Sequence, residues 1–291
     1  MGLKESLTEV SKALTRPLPD KLYLSLAYRA KLGKKLNVDD PRTFNEKIQW
    51  IKLNKHDPML NTLVDKYLVK RVVADFIGEE YLIPTIGAWT SFDDIDFSKL
   101  PDQFVLKCNH DSHSVVICRD KNSFDHAMAR KKLEGSLKRN YYWHGREWAY
   151  KDVKPMIIAE PYVCDHNDEL VDYKFFCFKD YVDCVMVCSE RKTGNPKFYF
   201  VDRQWNVLKY NKRGFSDPEG FTVEKPEHLD EMFELAAKLS VFTNMPFVRI
   251  DLYNVEGKIY FGEFTFSPDN GMDPNLLAET DERFGNLMVL A

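Results

Sequence analysis

The sequence has no apolar run approaching the roughly 20 residues that a membrane-spanning helix needs, no CxxC pair and no excess of positive charge. The first segment, MGLKESLTEVSKAL, places Glu5 and Glu9 where a signal peptide has an apolar stretch, so a cytoplasmic location is expected. The six cysteines, spread from Cys108 to Cys188, lack finger-like spacing. In a reducing compartment they read as buried thiols rather than zinc ligands or disulfides. A formal net charge of −4 argues against general affinity for nucleic acid or anionic lipid. There is no internal repeat or low-complexity segment, and no DxD at a strand end of the kind that nucleotide-sugar enzymes use.

What is present suits one large core or two fused lobes: 291 residues, 44% hydrophobic and 30% charged. The stretch to about Asn61 reads as helical, with KESLTEVSKAL and FNEKIQWIKLN separated by Pro17, Pro19 and Pro41. Between them, Lys21 to Lys35 is basic and rich in Leu and Tyr. It is either a solvated helix face packed on the core or a docking surface for a membrane-bound partner or an anionic glycan. A second helical pattern runs from Thr62 to Phe76. YLIPTIGAW, QFVLKCNH, SVVICRD, MIIAEPYV, KFFCF, VDCVMVC and KFYFVD then read as strands, with helices over Ser123–Tyr142 and Pro226–Thr243. Many short strands with close connections predict an α+β chain with mainly antiparallel sheets.

The segment FVRIDLYNVEGKIYFGEFTF reads as a hairpin turning at Gly257. Alternation puts Val248, Ile250 and Leu252 on one face and Arg249 and Asp251 on the other. In the return strand Phe264 and Phe266 share a face, and Glu263 and Thr265 share the opposite one. The register that joins the apolar faces sets Ile250 against Phe264, and a one-residue slip mismatches both faces. That register also sets Asp251 against Glu263. Two facing carboxylates repel unless a cation lies between them, and Mg²⁺ takes carboxylate and phosphate oxygens. Arg249, opposite Thr265, adds a fixed charge suited to a phosphoryl oxygen. The other reading is a solvated hairpin with an acidic outer face.

Two more segments bear on that choice. A helix opens at Asp65-Lys66, and Lys107 ends a strand before the polar loop HDSHS. A lysine beside free backbone N–H groups is an arrangement that holds the phosphates of a nucleoside triphosphate. With these in order the sequence resembles the ATP-grasp superfamily. FNEKIQW, LVDKYLVK, FVLKCNHDS, NYYWHGREWAYKDVKP, DYKFFCF and FVRIDLYNVEGKIYFGEFTFSP are similar to the TupA-like ATP-grasp family, over roughly residues 35 to 285. The resemblance implies an ATP-grasp fold of two α+β lobes clasping ATP. A helical segment over 1–61 stands in place of a Rossmann-like lobe. The ATP-grasp domain covers 62–291, with a smaller lobe over about 80–160 and a larger one over about 161–291.

The same resemblance implies roles. Lys66, Lys107 and Lys174 contact the nucleotide, and Ser112 and Ser114 belong to its phosphate-covering loop. Glu160 sits at the adenine edge, and Pro161, Tyr162 and Val163 form the adenine-binding hinge. Asp251 and Glu263 hold Mg²⁺. Thr265 stands where the superfamily usually has an Asn metal ligand, and Arg249, Lys107 and Lys174 serve phosphoryl transfer. His113 occupies the loop where a small residue is usual, and Asn109 to Ser114 is the candidate lid. The expected reaction activates a carboxylate as an acylphosphate and joins it to an amine, without a covalent enzyme nucleophile. Family context suggests a uronic acid or amino acid in capsule or cell-wall glycan assembly, with a membrane-bound assembly complex as a further partner. Arg146, Glu147 and Trp148 are candidates for gripping the substrate, or else form a structural turn with a buried Trp. Asn270, in SPDNGMD, would line the acceptor site. His110 and His113 read as loop residues or aids to proton transfer, and His144, Cys184 and Cys188 as packing. The rival readings are a glycan kinase on the same fold and a non-catalytic scaffold.

Overall fold

The computed structural model describes residues 15–290 except 167, 169 and 191–193, so KESLTEVSKAL lies outside the described residues. Its helices include α1 (Asp20–Leu32), α2 (Phe44–Asn54), α3 (Met59–Val64), α4 (Val69–Ile77) and α5 (His126–Leu137). They continue with α6 (Tyr142–Gly145), α7 (Lys212–Ser216), α8 (Leu229–Thr243) and α9 (Ala278–Leu287).

A four-stranded sheet contains β1 (Gly87–Trp89), β2 (Phe104–Cys108), β3 (Val116–Cys118) and β4 (Ile157–Pro161), in the order β1-β4-β2-β3. A six-stranded sheet contains β5 (Asp172–Phe178), β6 (Tyr181–Ser189), β7 (Lys197–Val201), β8 (Val207–Leu208), β9 (Val248–Val255) and β10 (Lys258–Thr265). Its order is β10-β9-β5-β6-β7-β8. The paired strands in both sheets are antiparallel, as the short apolar runs predict. β8 has no counterpart in the sequence reading, since two residues carry no period.

Each sheet has its own core. Phe104, Leu106, Val116, Ile157 and Ala159 of the small sheet pack with Phe92 and Leu133. In the large sheet, Leu229, Met232, Phe233, Ala236 and Leu239 recur at helical spacing along α8 and cover one face. On the other face Phe176 meets Phe44 of α2 and Phe284 of α9, with ring centroids 6.3 and 5.5 Å apart. α2 starts with a capping box: Thr43 Oγ1 accepts from the Glu46 amide, and the Glu46 carboxylate accepts from the Thr43 amide. The Lys47 ammonium donates to the carbonyls of Gly285 and Met288 at 2.7 Å each, capping the negative end of α9.

That contact needs a glycine. A Cβ on Gly285 would lie 2.1 Å from the Arg42 carbonyl oxygen, a backbone atom with no freedom to swing away. Gly285→Ala is therefore expected to cost about 1–3 kcal/mol, read as a lower urea midpoint with an unchanged far-ultraviolet circular dichroism spectrum.

The helix predicted over Thr62–Phe76 is broken in two. Asp65 is extended, and its Oδ1 accepts from the amides of Tyr67 and Leu68, starting the second helix afresh. The helix predicted over Ser123–Tyr142 is also shorter, because Asp125 caps it by accepting from the Met128 amide. Pro84, which lacks an amide donor, helps confine the strand predicted in YLIPTIGAW to Gly87–Trp89.

Candidate functional site

The site begins with register. The hairpin turns on Glu256 and Gly257, both at positive φ, with Val255 opposite Lys258. Near the turn Leu252 faces Phe261; a bulge at Gly262 then shifts the ladder so that Asp251 faces Glu263 and Ile250 faces Phe264. The sequence register is thus right beyond the bulge and one residue off before it, because alternation carries no signal for an inserted residue. On the other side of β9, Lys174 faces Asp251, and Met186 faces Lys174 in turn. Met186, Lys174, Asp251 and Glu263 therefore form one row across four strands, pointing from one face.

Asp251 is the hub of that row. Its side chain is 2% exposed, accepts from Arg249 Nε at 2.6 Å and Arg249 Nη2 at 2.7 Å, and accepts from Lys174 Nζ at 2.6 Å. Arg249 Nη2 also donates to Thr265 Oγ1 at 3.0 Å, and Thr265 donates to Glu263 Oε1 at 3.1 Å. Lys66 Nζ lies 3.4 Å from Glu263 Oε2 and donates to the Asp111 carbonyl at 2.7 Å. Burial opposes charge on Glu263, but Lys66, Arg249 and Lys174 outweigh it and hold the carboxyl down to about 2.

A cleft of about 260 Å³ lies between the two sheets. Ile83, Val105, Val115, Ile117, Val171 and Tyr253 supply apolar walls, and Pro161, Tyr162 and Val163 line one edge. Glu160 stands at its base between Lys107 and Lys70, each 2.6 Å away. Burial works against the Glu160 charge, yet the two ammonium groups keep its pKa below the ordinary range. The same burial lowers the pKa of Lys70 despite its partner. Lys70 was not among the sequence candidates. Its signal, a lysine four residues after Lys66 on the same helical run, is too common to single out without the fold.

The structure brings Lys107, Glu160, Pro161, Tyr162 and Val163 to this cleft, and Lys66, Arg249, Asp251, Glu263 and Thr265 to the carboxylate row. Lys174 belongs to the row and does not line the cleft. Ser112 Oγ shares a hydrogen bond of 2.8 Å with the Tyr141 hydroxyl. Ser114 is buried, accepts from the Cys108 amide at 2.8 Å and donates to Asp111, so it braces its own loop. Asn109 to Ser114, the segment expected to form a lid, is anchored in this conformation. Asn109, His110, Asp111 and Ser114 are buried. Asn109 bonds Asp65 and the Met156 amide, and Ser136 holds Asp111. Only Ser112 and His113 are exposed at the tip.

Arg146 is not brought to either place. It is 2% exposed and enclosed by the rings of Trp143, Tyr23 and Tyr142, with its cation 4.4, 4.7 and 5.6 Å from their centroids. It also donates to the Thr15 carbonyl at 2.8 Å. Glu147 is buried beside Lys52, and Trp148 stacks on His56 with centroids 5.2 Å apart. Burial pushes Glu147 up and Lys52 down. Asn270 sits at positive φ against Gly145, its carbonyl accepting from Gln49 at 2.8 Å and from Lys52.

The family model for TupA-like ATP-grasp proteins matches residues 46–289. The chain belongs to the TupA-like ATP-grasp family. Among solved structures it is similar to D-alanine–D-alanine ligase from Bacillus anthracis, solved with ATP: 17% identity, TM-score 0.43, covering 79% of this chain and 64% of the other. It is also similar to the ATP-grasp ligase PsnB, at 8% identity and TM-score 0.40, covering 76% and 59%. The D-cycloserine synthetase DcsG matches at 13% identity and TM-score 0.40, covering 79% and 70%. The chain thus spans about three fifths of the first two. No curated protein matches it.

For this TupA-like chain, Mg²⁺ can be tested against the donors present. Among the described residues no three His, Cys, Asp or Glu side chains converge as a metal cage. Asp251 and Glu263 are hard oxygen donors facing each other across one strand pair. Two carboxylates suit Mg²⁺, which keeps several waters and takes the rest of its ligands from substrate phosphates. Among the described residues no helix is long and apolar enough to cross a membrane.

Proposed function

We propose that this TupA-like protein is an ATP-dependent carboxylate–amine ligase, and that the two sheets are the two lobes of its grasp. The observation that carries the reading is a network of two carboxylates and three cations, Lys66, Lys174 and Arg249, whose Asp251 stands two residues along β9 from Tyr253, a wall residue of the cleft that has Lys107–Glu160–Lys70 at its base. The apolar walls suit a purine base, and Pro161 to Val163 offer backbone groups to its edge. Lys107 and Lys66 would hold the phosphate chain. Asp251 and Glu263 would hold Mg²⁺, which neutralises phosphate charge as the phosphoryl group moves.

In that reading a substrate carboxylate oxygen attacks the γ-phosphorus and ADP leaves, giving an acylphosphate. The amine nitrogen then attacks the acyl carbon, inorganic phosphate leaves, and the amine gives up a proton. Lys174 and Arg249 lie where they can hold the carboxylate and steady the oxyanion. An acylphosphate hydrolyses in water, so this chemistry requires that water be kept from the row. Family context points to a uronic acid or amino acid in surface-glycan assembly as the acid.

Titration with AMP-PNP, with and without Mg²⁺, tests the nucleotide half of this reading; no binding in either condition overturns it. Product analysis tests the chemistry: free phosphate with an amide supports ligation, and a stable phosphorylated sugar identifies a kinase. Lys107→Met is expected to weaken AMP-PNP binding about tenfold, the worth of one charge-assisted hydrogen bond to phosphate. An unchanged affinity would remove Lys107 from the site.

A further inference from the structure

A second cavity, of about 330 Å³, opens beside Lys174 and Arg249. Lys174, Met186 and Arg249 form its wall on the row side, and Asp269 and Asp273 come from the loop after β10. Arg213 and Asn211 of the α7 region line it as well. Lys174 and Arg249, two of the cations of the carboxylate row's ion-pair network, thus face into this cavity. A molecule seated in it would present its near end to the place where phosphoryl transfer is proposed.

The charges of this cavity are not balanced in the same way. Lys174 and Arg249 are held by Asp251, and Arg213 lies 3.4 Å from Asp217. Asp269 and Asp273, by contrast, are in no ion pair among the described residues. Asp273 accepts from the backbone amides of Asn275, at 2.8 Å, and Leu276. Burial and the nearby Asp269 charge raise its pKa and outweigh Lys31, which pulls it the other way. Lys174 and Arg249 from the strands and Asp269 and Asp273 from the loop thus give the cavity both signs of charge, with Asp269 close enough to Arg249 to help raise its pKa.

We propose that this cavity binds a small amino acid as the acid partner of the ligation, its carboxylate toward Lys174 and Arg249 and its ammonium toward Asp269 and Asp273. The inference rests on the ligase reading for the fate of the carboxylate, but the recognition itself is a matter of charge placement. An acid lacking the ammonium leaves the two aspartates facing each other, and an amine lacking the carboxylate leaves the cationic wall unanswered.

Met186 lines the cavity and serves as reporter. Protein labelled with [methyl-¹³C]methionine is titrated with alanine, with propionate and with ethylamine, which keep one skeleton and remove one charge each. Alanine is expected to shift the Met186 methyl resonance and to bind at least about tenfold more tightly than either relative. In the double variant Asp269→Asn, Asp273→Asn that preference should vanish; Asn keeps a carbonyl to accept from the Asn275 amide. Propionate binding as well as alanine would make the cavity an anion site and overturn the proposal. So would an unmoved Met186 with all three probes in protein that binds AMP-PNP. If AMP-PNP fails to bind while alanine is still preferred, the ligase reading falls and the amino-acid site stands.

Discussion

Glu263→Gln is expected to cut magnesium-dependent ATP turnover by at least about 10²-fold while leaving the fold in place. The substitution keeps the shape of the side chain and its acceptor for the Thr265 hydroxyl, 3.1 Å away, but removes one of the two charges that face each other across β9 and β10. Turnover measured as phosphate release, beside circular dichroism, checks both halves of the statement. Near-normal turnover would take Glu263 out of the metal site. The same variant makes a statement about pH. Lys66, Arg249 and Lys174 hold the Glu263 carboxyl down to about 2, against an ordinary value of 4.5. A carboxyl whose pKa is depressed by folding stabilises the fold above its unfolded value. That contribution is present above about pH 4.5 and is lost as the pH falls toward 2. The urea midpoint of the parent protein should fall across this window, and in Glu263→Gln that share of the slope should be missing.

The second large effect falls on stability. Asp251→Ala is expected to lower stability by about 3–5 kcal/mol, the usual cost of leaving partner charges buried and unpaired. Asp251 accepts two hydrogen bonds from Arg249 and one from Lys174, and those two side chains are only 11% and 10% exposed. Removing the hub leaves two buried cations close together, Arg249 with Glu263 at 3.6 Å and Lys174 with Asp172 at 3.3 Å as the nearest acids. Differential scanning calorimetry reads the loss. A drop of less than about 1 kcal/mol would mean that water already screens the pair, as at exposed ion pairs. Together the variants are expected to separate two duties: Glu263, more open to solvent, would matter chiefly for turnover, and Asp251 for both turnover and folding.

The hairpin shows how much could be read in advance. The apolar alternation of Val248, Ile250 and Leu252 against Phe264 and Phe266 admits one register, and that register sets Asp251 opposite Glu263. The α+β class and the antiparallel sheets followed from the same short-range periodicities. The helix break at Asp65 could not be read this way. Leu63, Tyr67, Leu68 and Val72 continue a helical pattern, but the Asp65 side chain caps the second segment and the Lys66 amide donates to the Asn109 carbonyl. Local propensity lost there to a contact made far along the chain, and the break lies beside the proposed phosphate site.

The sequence alone determined the element types, the facing carboxylates and the lysine order, because each depends on neighbours within a few residues or on one hairpin. Tertiary structure decided the rest. It placed Lys70 with Lys107 on Glu160, moved Lys174 from the cleft to the row, and enclosed Arg146 among Tyr23, Tyr142 and Trp143. It also turned Ser114 inward and brought Asp269 and Asp273 to one cavity with Lys174 and Arg249. The physical reason is common to all of these: a charged side chain takes its role from which opposite charge and how little water the fold brings to it, and neither is a property of the chain near that residue.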